Sequence, residues 1–299
     1  MHKKAIILFG ASVGGKRALD WYQQQADIIV LAIVDNDVSK QGTFIEQVPV
    51  ISPAQIQQYD WSQIVICSMY FQPIRQQLIE LYGIATSAIS VASATVLKGL
   101  QPLARGELYL QAKQLMLQLT AALHKANIPY YIDHGTLLGI IREGDLLPWD
   151  NDVDIAIDAE CAQATFDVLQ ACLSSKINTE QDSSPWQVSY QSGTFDTSEG
   201  PLQGWRIIKV TQNNAGASAE HLVDFIIKHR VNATRYWLVG TTTLQAPNDL
   251  TSERISLEYQ GQSLTVPADA RQYLQLLYGE DWHIPRKDWS HANYSNITE

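Results

Sequence analysis

Apolar and polar segments alternate in a regular order through the first third of the chain. The apolar runs are short and rich in isoleucine, leucine and valine, as buried strands are. The segments between them carry apolar residues at helical spacing. Strands are predicted at residues 4–9, 28–34, 48–51 and 64–69, and helices at 15–25, from Pro53 onward and at 72–81. This alternation predicts a parallel, doubly wound α/β sheet, which we assign to a first domain at residues 1–95.

The first turn of this domain is rich in glycine. Gly10-Ala11-Ser12-Val13-Gly14-Gly15 approaches the G-x-G-x-x-G pattern, and Asp35 stands where a ribose-binding acid would be. Ser12 replaces the glycine that lets the backbone approach a pyrophosphate, and Arg17 stands where a P-loop needs serine or threonine. The domain resembles the Rossmann-like N-terminal halves of bacterial polysaccharide-modifying transferases. We predict a packing or substrate-recruiting domain, with dinucleotide binding as the alternative.

A different pattern follows a short segment rich in glycine, proline and arginine at residues 96–105, which predicts a linker. Leu108, Ala112, Leu115, Leu119, Ala122 and Ala126 then recur at steps of three and four residues, which predicts an amphipathic helix with one core-facing stripe. Residues 106–299 are predicted to form a second, α+β domain with a mixed sheet.

Three closely spaced aspartates follow a strand, a Gly135-Thr136 turn and a short apolar helix within residues 130–158. Asp152 and Asp154 flank Val153, and alternate residues of a strand point to one face. A divalent cation relieves the repulsion between two such carboxylates, and Mg²⁺ prefers carboxylate and phosphate oxygens. The alternative is a solvated acidic turn. The apolar residues that follow instead place the aspartates at the mouth of a buried strand, opposite helix amides that suit a phosphate.

These residues resemble the LicD and fukutin-related family of the nucleotidyltransferase superfamily. The resemblance covers about residues 106–290, and the fold it implies is nucleotidyltransferase-like. One departure is His134, where the family often has a small residue. The matching positions are Gly135-Thr136-Leu137-Leu138-Gly139, Arg142, Pro148-Trp149-Asp150-x-Asp152-x-Asp154, His221-Leu222-Val223-Asp224-Phe225, Val266-Pro267 and Tyr278-Gly279-Glu280-Asp281-Trp282.

The resemblance also implies roles for individual residues. Asp152, Asp154 and Asp224 would hold one or two Mg²⁺ or Mn²⁺ ions, and Asp224 would help to deprotonate the acceptor hydroxyl. Arg142 would neutralise charge on the transferred group. Packing or structural support is the alternative for the histidine, tryptophan and lysine among the substrate-binding candidates. Those candidates are Gly135, Thr136, His134, Trp149, Asp150 and Lys209.

The resemblance implies an enzyme that transfers a group from a small-molecule donor to a glycan. A phospho-substituent such as phosphocholine, phosphoethanolamine or a polyol phosphate would move from a CDP-activated donor to a sugar hydroxyl, with release of CMP. The acceptor would be a capsular, teichoic-type or lipopolysaccharide glycan, including lipid-linked forms. Trp186, Tyr190 and Trp205 are candidates for an aromatic cage around a quaternary ammonium. The rival hypotheses are a nucleotidyltransferase that releases pyrophosphate and a non-catalytic binding module.

Composition indicates which partners are excluded and where in the cell the protein would act. The formal charge of −10 argues against broad nucleic-acid binding, which needs a basic face. Three cysteines without a C-x-x-C pair are typical of a reduced protein, and no apolar run is long enough to predict a membrane helix. We therefore expect a cytoplasmic protein that works at the inner face of the membrane.

The remaining elements are expected downstream of the aspartates. The polar stretch at residues 174–204 predicts a long substrate-recognition loop with a short strand at 187–190. A helix is predicted at 161–173 and a last helix at 268–277. Further strands are predicted at 205–211, 221–228, 236–239 and 263–266, the first two joined by a turn at 213–216.

Overall fold

The chain divides into two compact units in the computed structural model. One contains Met1–Gln101 and Arg286–Asn293, and the other contains Pro102–Pro285 and Tyr294–Glu299. Within the predicted linker, residues 98–105 lie outside the described residues, as do Trp149 and the predicted turn at 213–216. The described residues are 3–68, 70–93, 96–97, 106–148, 150, 152–174, 186–212, 220–286 and 293–298.

The first unit is built on a six-stranded sheet with the order β3-β4-β2-β1-β5-β6. Every neighbouring pair is parallel except β3 with β4, and the strand order reverses direction beside β1, as in doubly wound sheets. The predicted parallel α/β sheet is therefore confirmed, with β3 and β6 in addition to the predicted strands. The elements are β1 (Lys4–Phe9), α1 (Val13–Gln23), β2 (Ile28–Val34), β3 (Phe44–Ile45), β4 (Val48–Ile51), a 3₁₀ helix (Pro53–Gln58), β5 (Gln63–Ile66), α2 (Phe71–Glu80) and β6 (Ile89–Val91).

Both faces of this sheet are buried, which explains the continuous apolar runs in its sequence. Ile7 and Phe9 of β1 belong to the core beneath α2. Ile6 and Leu8 belong to the core beneath α1. Successive residues of one strand therefore serve two separate cores, and neither face tolerates a polar residue at these positions.

The glycine-rich turn after β1 is used for close packing. A Cβ atom on Gly15 would collide with the carbonyl oxygen of Gly10. Asp35, at the end of β2, accepts a hydrogen bond from the backbone N–H of Ala11 over 2.7 Å and pairs with Lys40 over 3.1 Å. Because the carboxylate of Asp35 is engaged within the protein, this geometry supports the packing interpretation of the turn.

The second unit is built on a seven-stranded mixed sheet. The path β13-β12-β11-β10-β9 is antiparallel, whereas β8 pairs in parallel with β11 and antiparallel with β7. The predicted mixed sheet is thus confirmed. The strands are β7 (Tyr130–Ile132), β8 (Val153–Asp158), β9 (Trp186–Thr197), β10 (Gly200–Gln212), β11 (Glu220–Val231), β12 (Thr234–Val239) and β13 (Thr242–Pro247), with β14 (Arg254–Tyr259) and β15 (Gln262–Pro267) in a separate two-stranded sheet.

Helices cover this sheet at the positions that the apolar spacing predicts. In α3 the side chains of Ala112, Leu115 and Leu119 are buried and Ala122 is partly buried, which confirms these members of the predicted core-facing stripe. Ala126 was predicted to belong to the stripe, but it is exposed and follows the last residue of the helix. Within the part of the chain that the structure describes, no helix combines the length and the apolar character that crossing a bilayer requires. The helices are α3 (Glu107–Lys125), α4 (His134–Glu143), α5 (Ala162–Ser174), α6 (Asp249–Ser252) and α7 (Ala270–Tyr278).

The prediction of a long recognition loop at 174–204 is wrong for the residues described. Trp186–Thr197 and Gly200–Gln212 form one long antiparallel hairpin in continuous register apart from a bulge near Trp205. Polar residues dominate β9, in which Phe195 is buried and Tyr190 is exposed, and residues 191–194 contain no large apolar side chain. Because β9 lacks a regular alternation of apolar and polar residues, the sequence analysis did not identify its full length. Residues 175–185 of the predicted loop lie outside the described part.

Two further strands, β13 and β14, were also missed by the sequence analysis. Each pairs with a predicted neighbour through a tight turn, at Gly240 for β12 and β13 and at Gly261 for β14 and β15. The glycine turn between each of these strands and its predicted neighbour was the sequence signal that could have identified them.

Substitution of Gly15 by alanine should destabilise the first unit, because its methyl group must displace the backbone of Gly10. Overpacking of this kind costs about 1–3 kcal/mol. Thermal denaturation of Gly15→Ala should show this loss. Ser12→Ala is the matched control, since the Ser12 side chain makes no capping hydrogen bond with α1. Equal midpoints for both variants would contradict the packing interpretation.

Candidate metal site at the start of strand β8

Three carboxylates meet where the chain enters β8. Asp150, Asp152 and Asp154 each offer one oxygen, and these three oxygens all lie within 4.8 Å of one another. All three residues are partly buried. Asp152 and Asp154 flank Val153, whose side chain is fully buried. The predicted alternation therefore brings Asp152 and Asp154 together, and Asp150 joins them.

Asp224 lies one strand away from this group. It is the register partner of Asp154 in the parallel pairing of β8 with β11. On its other side it pairs with Lys209 of β10, whose Nζ lies 3.8 Å from the Asp224 carboxylate. Among the described residues, the three-carboxylate group within 4.8 Å contains Asp150 and not Asp224. The sequence analysis ranked these two aspartates in the opposite order.

One turn holds both backbone groups of Asp154. The N–H of Asp133 donates to the carbonyl oxygen of Asp154 over 3.0 Å, and the N–H of Asp154 donates to the hydroxyl of Thr136 over 2.8 Å. Thr136 is buried, with 1% of its surface exposed. Its side chain therefore supports Asp154, which differs from the predicted contact with a donor phosphate. That prediction now concerns only the backbone amides of Gly135 and Thr136.

Gly135 allows the carboxylates to approach the N-terminus of α4. A Cβ atom at this position would collide with the Asp150 carboxylate and would lie 3.7 Å from an oxygen of Asp154. The positive end of the α4 dipole therefore lies beside the acidic group and favours its ionised form. Any larger residue at position 135 would push Asp150 away from the other two aspartates.

His134 is part of a buried network and does not face a substrate. Its Nδ1 lies 3.0 Å from Asp133 Oδ2, and its Nε2 accepts a hydrogen bond from the Trp237 indole over 3.1 Å. Burial lowers the pKa of His134. The Trp237 indole occupies Nε2 and the Asp133 carboxylate faces Nδ1, so we assign His134 a supporting role in place of the predicted substrate contact.

A lysine completes this network behind the carboxylates. Lys228 lies 2.6 Å from Asp133 Oδ2, and both side chains are fully buried. Burial lowers the pKa of Lys228 to about 8, although Asp133 opposes the shift. Burial alone would raise the pKa of the Asp133 carboxyl, but the charges and hydrogen bonds of His134 and Lys228 hold it well below its usual range.

Arg142 lies at the opposite end of α4 from Gly135. Its Nε donates to Glu143 over 2.8 Å and its Nη1 donates to the carbonyl oxygen of Trp282 over 3.1 Å. These contacts tie α4 to the segment after α7. The predicted neutralisation of a transferred group by Arg142 stays a prediction, as does the role of Trp149, which lies outside the described residues.

The aromatic candidates for a cage pack against one another. The rings of Tyr190 and Trp205 stack with centroids 4.0 Å apart and an interplanar angle of 15°, and Phe166 meets both edge-on. A cage needs rings arranged around a cation, and these ring faces are turned to each other. The predicted cage is therefore not formed by Tyr190 and Trp205.

The donor set of the acidic group fits a hard divalent cation. Carboxylate oxygens are the ligands that Mg²⁺ and Mn²⁺ prefer, and three that lie close together repel one another without a counter-charge. Asp150, Asp152 and Asp154 are the residues that would hold such an ion, with Asp224 beside them.

Comparison with known protein families agrees with this architecture. The family described as "LicD/FKTN/FKRP, nucleotidyltransferase domain" matches residues 127–269. A second family, described as "C2185-like, N-terminal", matches residues 1–90. The first match contains β7, α4, the acidic group and β11, and the second contains most of the parallel sheet.

Curated proteins similar to this chain include two ribitol 5-phosphate transferases. The chain is 24% identical over 165 residues to the "Ribitol 5-phosphate transferase FKRP" of Mus musculus, covering 54% of this chain and 30% of that protein. It is 24% identical over 179 residues to the "Ribitol-5-phosphate transferase FKTN" of Homo sapiens, covering 60% of this chain and 34% of that protein. The chain thus spans about a third of the length of these relatives.

Similarity to solved structures is weaker. A structure of ANT(2")-Ia in complex with adenylyl-2"-tobramycin matches with a TM-score of 0.34 and 15% identity, covering 61% of this chain and 83% of that chain. A UDP-D-quinovosamine 4-dehydrogenase from Vibrio fischeri matches with a TM-score of 0.24 and 18% identity, covering 30% of this chain and 75% of that one. Scores below 0.5 do not establish a shared fold.

The mixed sheet, the carboxylates at the start of β8 and the helix N-terminus beside them all lie within the matched residues 127–269. The match to the LicD/FKTN/FKRP family confirms the resemblance recognised in the sequence.

The sequence analysis missed the residues that support the site. Asp133, Lys228, Tyr273 and Trp237 form the buried polar network, and each lies in a segment that reads as apolar core. One signal was available: Lys228 directly follows the apolar residues Phe225, Ile226 and Ile227 of β11. A buried lysine requires a partner, but that partner, in a distant part of the chain, cannot be identified from sequence alone.

Substitution of Gly135 by alanine should weaken cation binding, because the added methyl group displaces Asp150. Misplaced ligands or outer-shell partners typically cost about 10- to 100-fold in metal affinity. Titration with Mn²⁺, followed by electron paramagnetic resonance, should show this loss while circular dichroism shows a folded protein. Wild-type affinity in folded Gly135→Ala would remove Asp150 from the site.

Proposed function

We propose that this protein is a divalent-cation-dependent transferase that moves a phospho-substituent from a CDP-activated donor to a hydroxyl group of a glycan. The observation that carries the proposal is the group of three carboxylates within 4.8 Å, held at the start of β8 in a domain of the LicD/FKTN/FKRP family. Both the CDP-activated donor and the glycan acceptor are inferred from the family resemblance.

Different residues of the site would have different roles in such a reaction. Asp150, Asp152 and Asp154 would hold the cation, which when bound supplies positive charge to the donor phosphates. The first amides of α4 add the positive end of a helix dipole on the same side. Asp224, one strand away, is suited to accept the proton of the acceptor hydroxyl, and the Nζ of Lys209 lies 3.8 Å from its carboxylate.

A polyol phosphate is the substituent that we favour. The curated relatives are named as ribitol 5-phosphate transferases, and their matches cover 54% and 60% of this chain. Phosphocholine is less favoured, because the stacked rings of Tyr190 and Trp205 leave no cage between them for its quaternary ammonium.

The test is an assay of the purified full chain with four donors. CDP-ribitol, CDP-glycerol, CDP-choline and CDP-ethanolamine are each supplied with Mg²⁺ and a glycan acceptor, and release of CMP is measured. We expect acceptor-dependent CMP release, greatest with CDP-ribitol or CDP-glycerol. Pyrophosphate release from a nucleoside triphosphate in place of CMP would identify a nucleotidyltransferase, and no turnover with any donor would favour a binding module.

Asp152→Asn and Asp154→Asn should each abolish turnover and leave the fold intact. Asparagine keeps the size of the side chain but removes the negative charge that holds the cation. Loss of one electrostatic contact to a transition state typically lowers kcat by about 100- to 1,000-fold. The release of CMP measures the loss, and an unchanged melting temperature confirms folding. Near-normal rates in either variant would reject the assignment.

Asp150→Asn and Asp224→Asn should have different effects on the enzyme. Asp150 lies within the three-carboxylate group, so we expect its substitution to weaken Mn²⁺ binding by about tenfold or more. Asp224 lies beside the group, so we expect its substitution to lower kcat more than it lowers Mn²⁺ affinity. Calorimetric titration and the CMP assay together measure both effects. The reverse order would restore Asp224 as the third ligand in place of Asp150.

A further inference from the structure

An ion pair with no exposed surface lies behind the candidate metal site. Lys228 is on β11, four residues after Asp224, and Asp133 caps the N-terminus of α4. Lys228 Nζ lies 2.6 Å from Asp133 Oδ2, and both side chains are 0% exposed. Neither group can touch a substrate, so the proposed reaction does not use their charges directly.

The Asp133 carboxylate collects donors from several elements. Tyr273 of α7 donates its hydroxyl to Oδ1 over 2.9 Å, and the N–H of His134 donates to the same oxygen over 2.8 Å. The ammonium of Lys228 also lies 3.5 Å from the centroid of the Trp237 ring, on β12. The network therefore joins β7, β11, β12, α4 and α7 at one carboxylate.

This network is not explained by stability alone. Moving two charges out of water carries a large desolvation cost, and well-packed apolar residues of similar volume often stabilise a fold equally well or better. A fully buried ion pair does, however, favour one geometry, because any arrangement that separates the two partners leaves an uncompensated buried charge. The pair is therefore suited to hold one backbone arrangement and to exclude others.

The backbone that the pair holds is the turn at residues 133–136. His134 has a φ of +40° within this turn, a conformation that a non-glycine residue keeps only when its surroundings impose it. Asp133 supports it by accepting a hydrogen bond from the backbone N–H of His134 and by lying 3.0 Å from Nδ1 of its ring. The same turn holds both backbone groups of Asp154 and contacts Asp150 at Gly135.

We propose that Lys228 and Asp133 are positioning residues for the candidate metal site, acting through the turn at 133–136 to hold Asp150 and Asp154 within reach of one cation. The proposal rests on the proposed function, since it assumes that these carboxylates bind a divalent ion.

Replacement of Lys228 by methionine distinguishes the loss of positioning from the loss of charge, because the two losses change the cation affinity of the site in opposite directions. Loss of a nearby positive charge, by Coulomb's law, strengthens the binding of a cation to the aspartates. Loss of a positioning partner disperses the ligands and weakens binding. Methionine keeps the length and apolar stem of lysine, so packing around Trp237 is largely retained.

The experiment is an Mn²⁺ titration of the full chain without substrate, followed by electron paramagnetic resonance well below the melting temperature. We expect Lys228→Met to bind Mn²⁺ about 10- to 100-fold more weakly than the wild type. Arg254→Met is the matched control. Arg254 pairs over 2.6 Å with Asp158, at the other end of β8, so its loss should lower the melting temperature but change Mn²⁺ affinity less than about twofold.

Tyr273→Phe keeps the test decisive where Lys228→Met does not fold. This variant removes only the hydroxyl that donates to Asp133, without a change in charge, and should weaken Mn²⁺ binding by a few-fold. Unchanged or tighter Mn²⁺ binding in folded Lys228→Met, or wild-type Mn²⁺ affinity in Tyr273→Phe, would overturn the positioning role of Lys228 and Asp133. Either result would leave the proposed function standing. A wild-type protein that does not bind Mn²⁺ would overturn the proposed function, and this proposal with it.

Discussion

The two hydrogen bonds that the turn at 133–136 makes to the backbone of Asp154 determine the geometry of the candidate site. They come from opposite sides, one to the carbonyl oxygen and one from the N–H of the same residue. Because buried backbone groups must be paired, these bonds fix where β8 begins and how its first carboxylate is aimed. The parallel pairing of β8 with β11 then fixes the position of Asp224 beside Asp154.

Mutual repulsion of the carboxylates is the cost that this arrangement must offset. The N-terminus of α4 lies against Asp150 and Asp154, and the absence of a side chain on Gly135 makes that approach possible. Behind the turn, Lys228 holds Asp133 in a buried network that water does not reach. The polar groups that aim the carboxylates are therefore separated by burial from the groups that would meet a substrate.

The two units use glycine and aspartate in different ways, although the same residue types attract attention in both. In the first unit, Gly15 packs against the backbone of Gly10, and Asp35 is engaged by Ala11 and Lys40. In the second unit, Gly135 makes room for carboxylates that face one another. A pattern of residue types indicates chemistry only when the surrounding structure leaves the polar atoms directed at a common point.

The parallel sheet of the first unit and the convergence of Asp152 and Asp154 could be predicted from the chain alone. Each of these follows from a local period, since apolar runs define buried strands and alternation about Val153 defines a shared face. The mixed sheet of the second unit was expected only through the family resemblance. The folded structure was needed to show that Asp150 joins the group, that β9 and β10 form a hairpin and that Lys228 pairs with Asp133. Those contacts join residues far apart in the chain or across an irregular turn, and no local period encodes which partner a buried charge or a solvated strand will find.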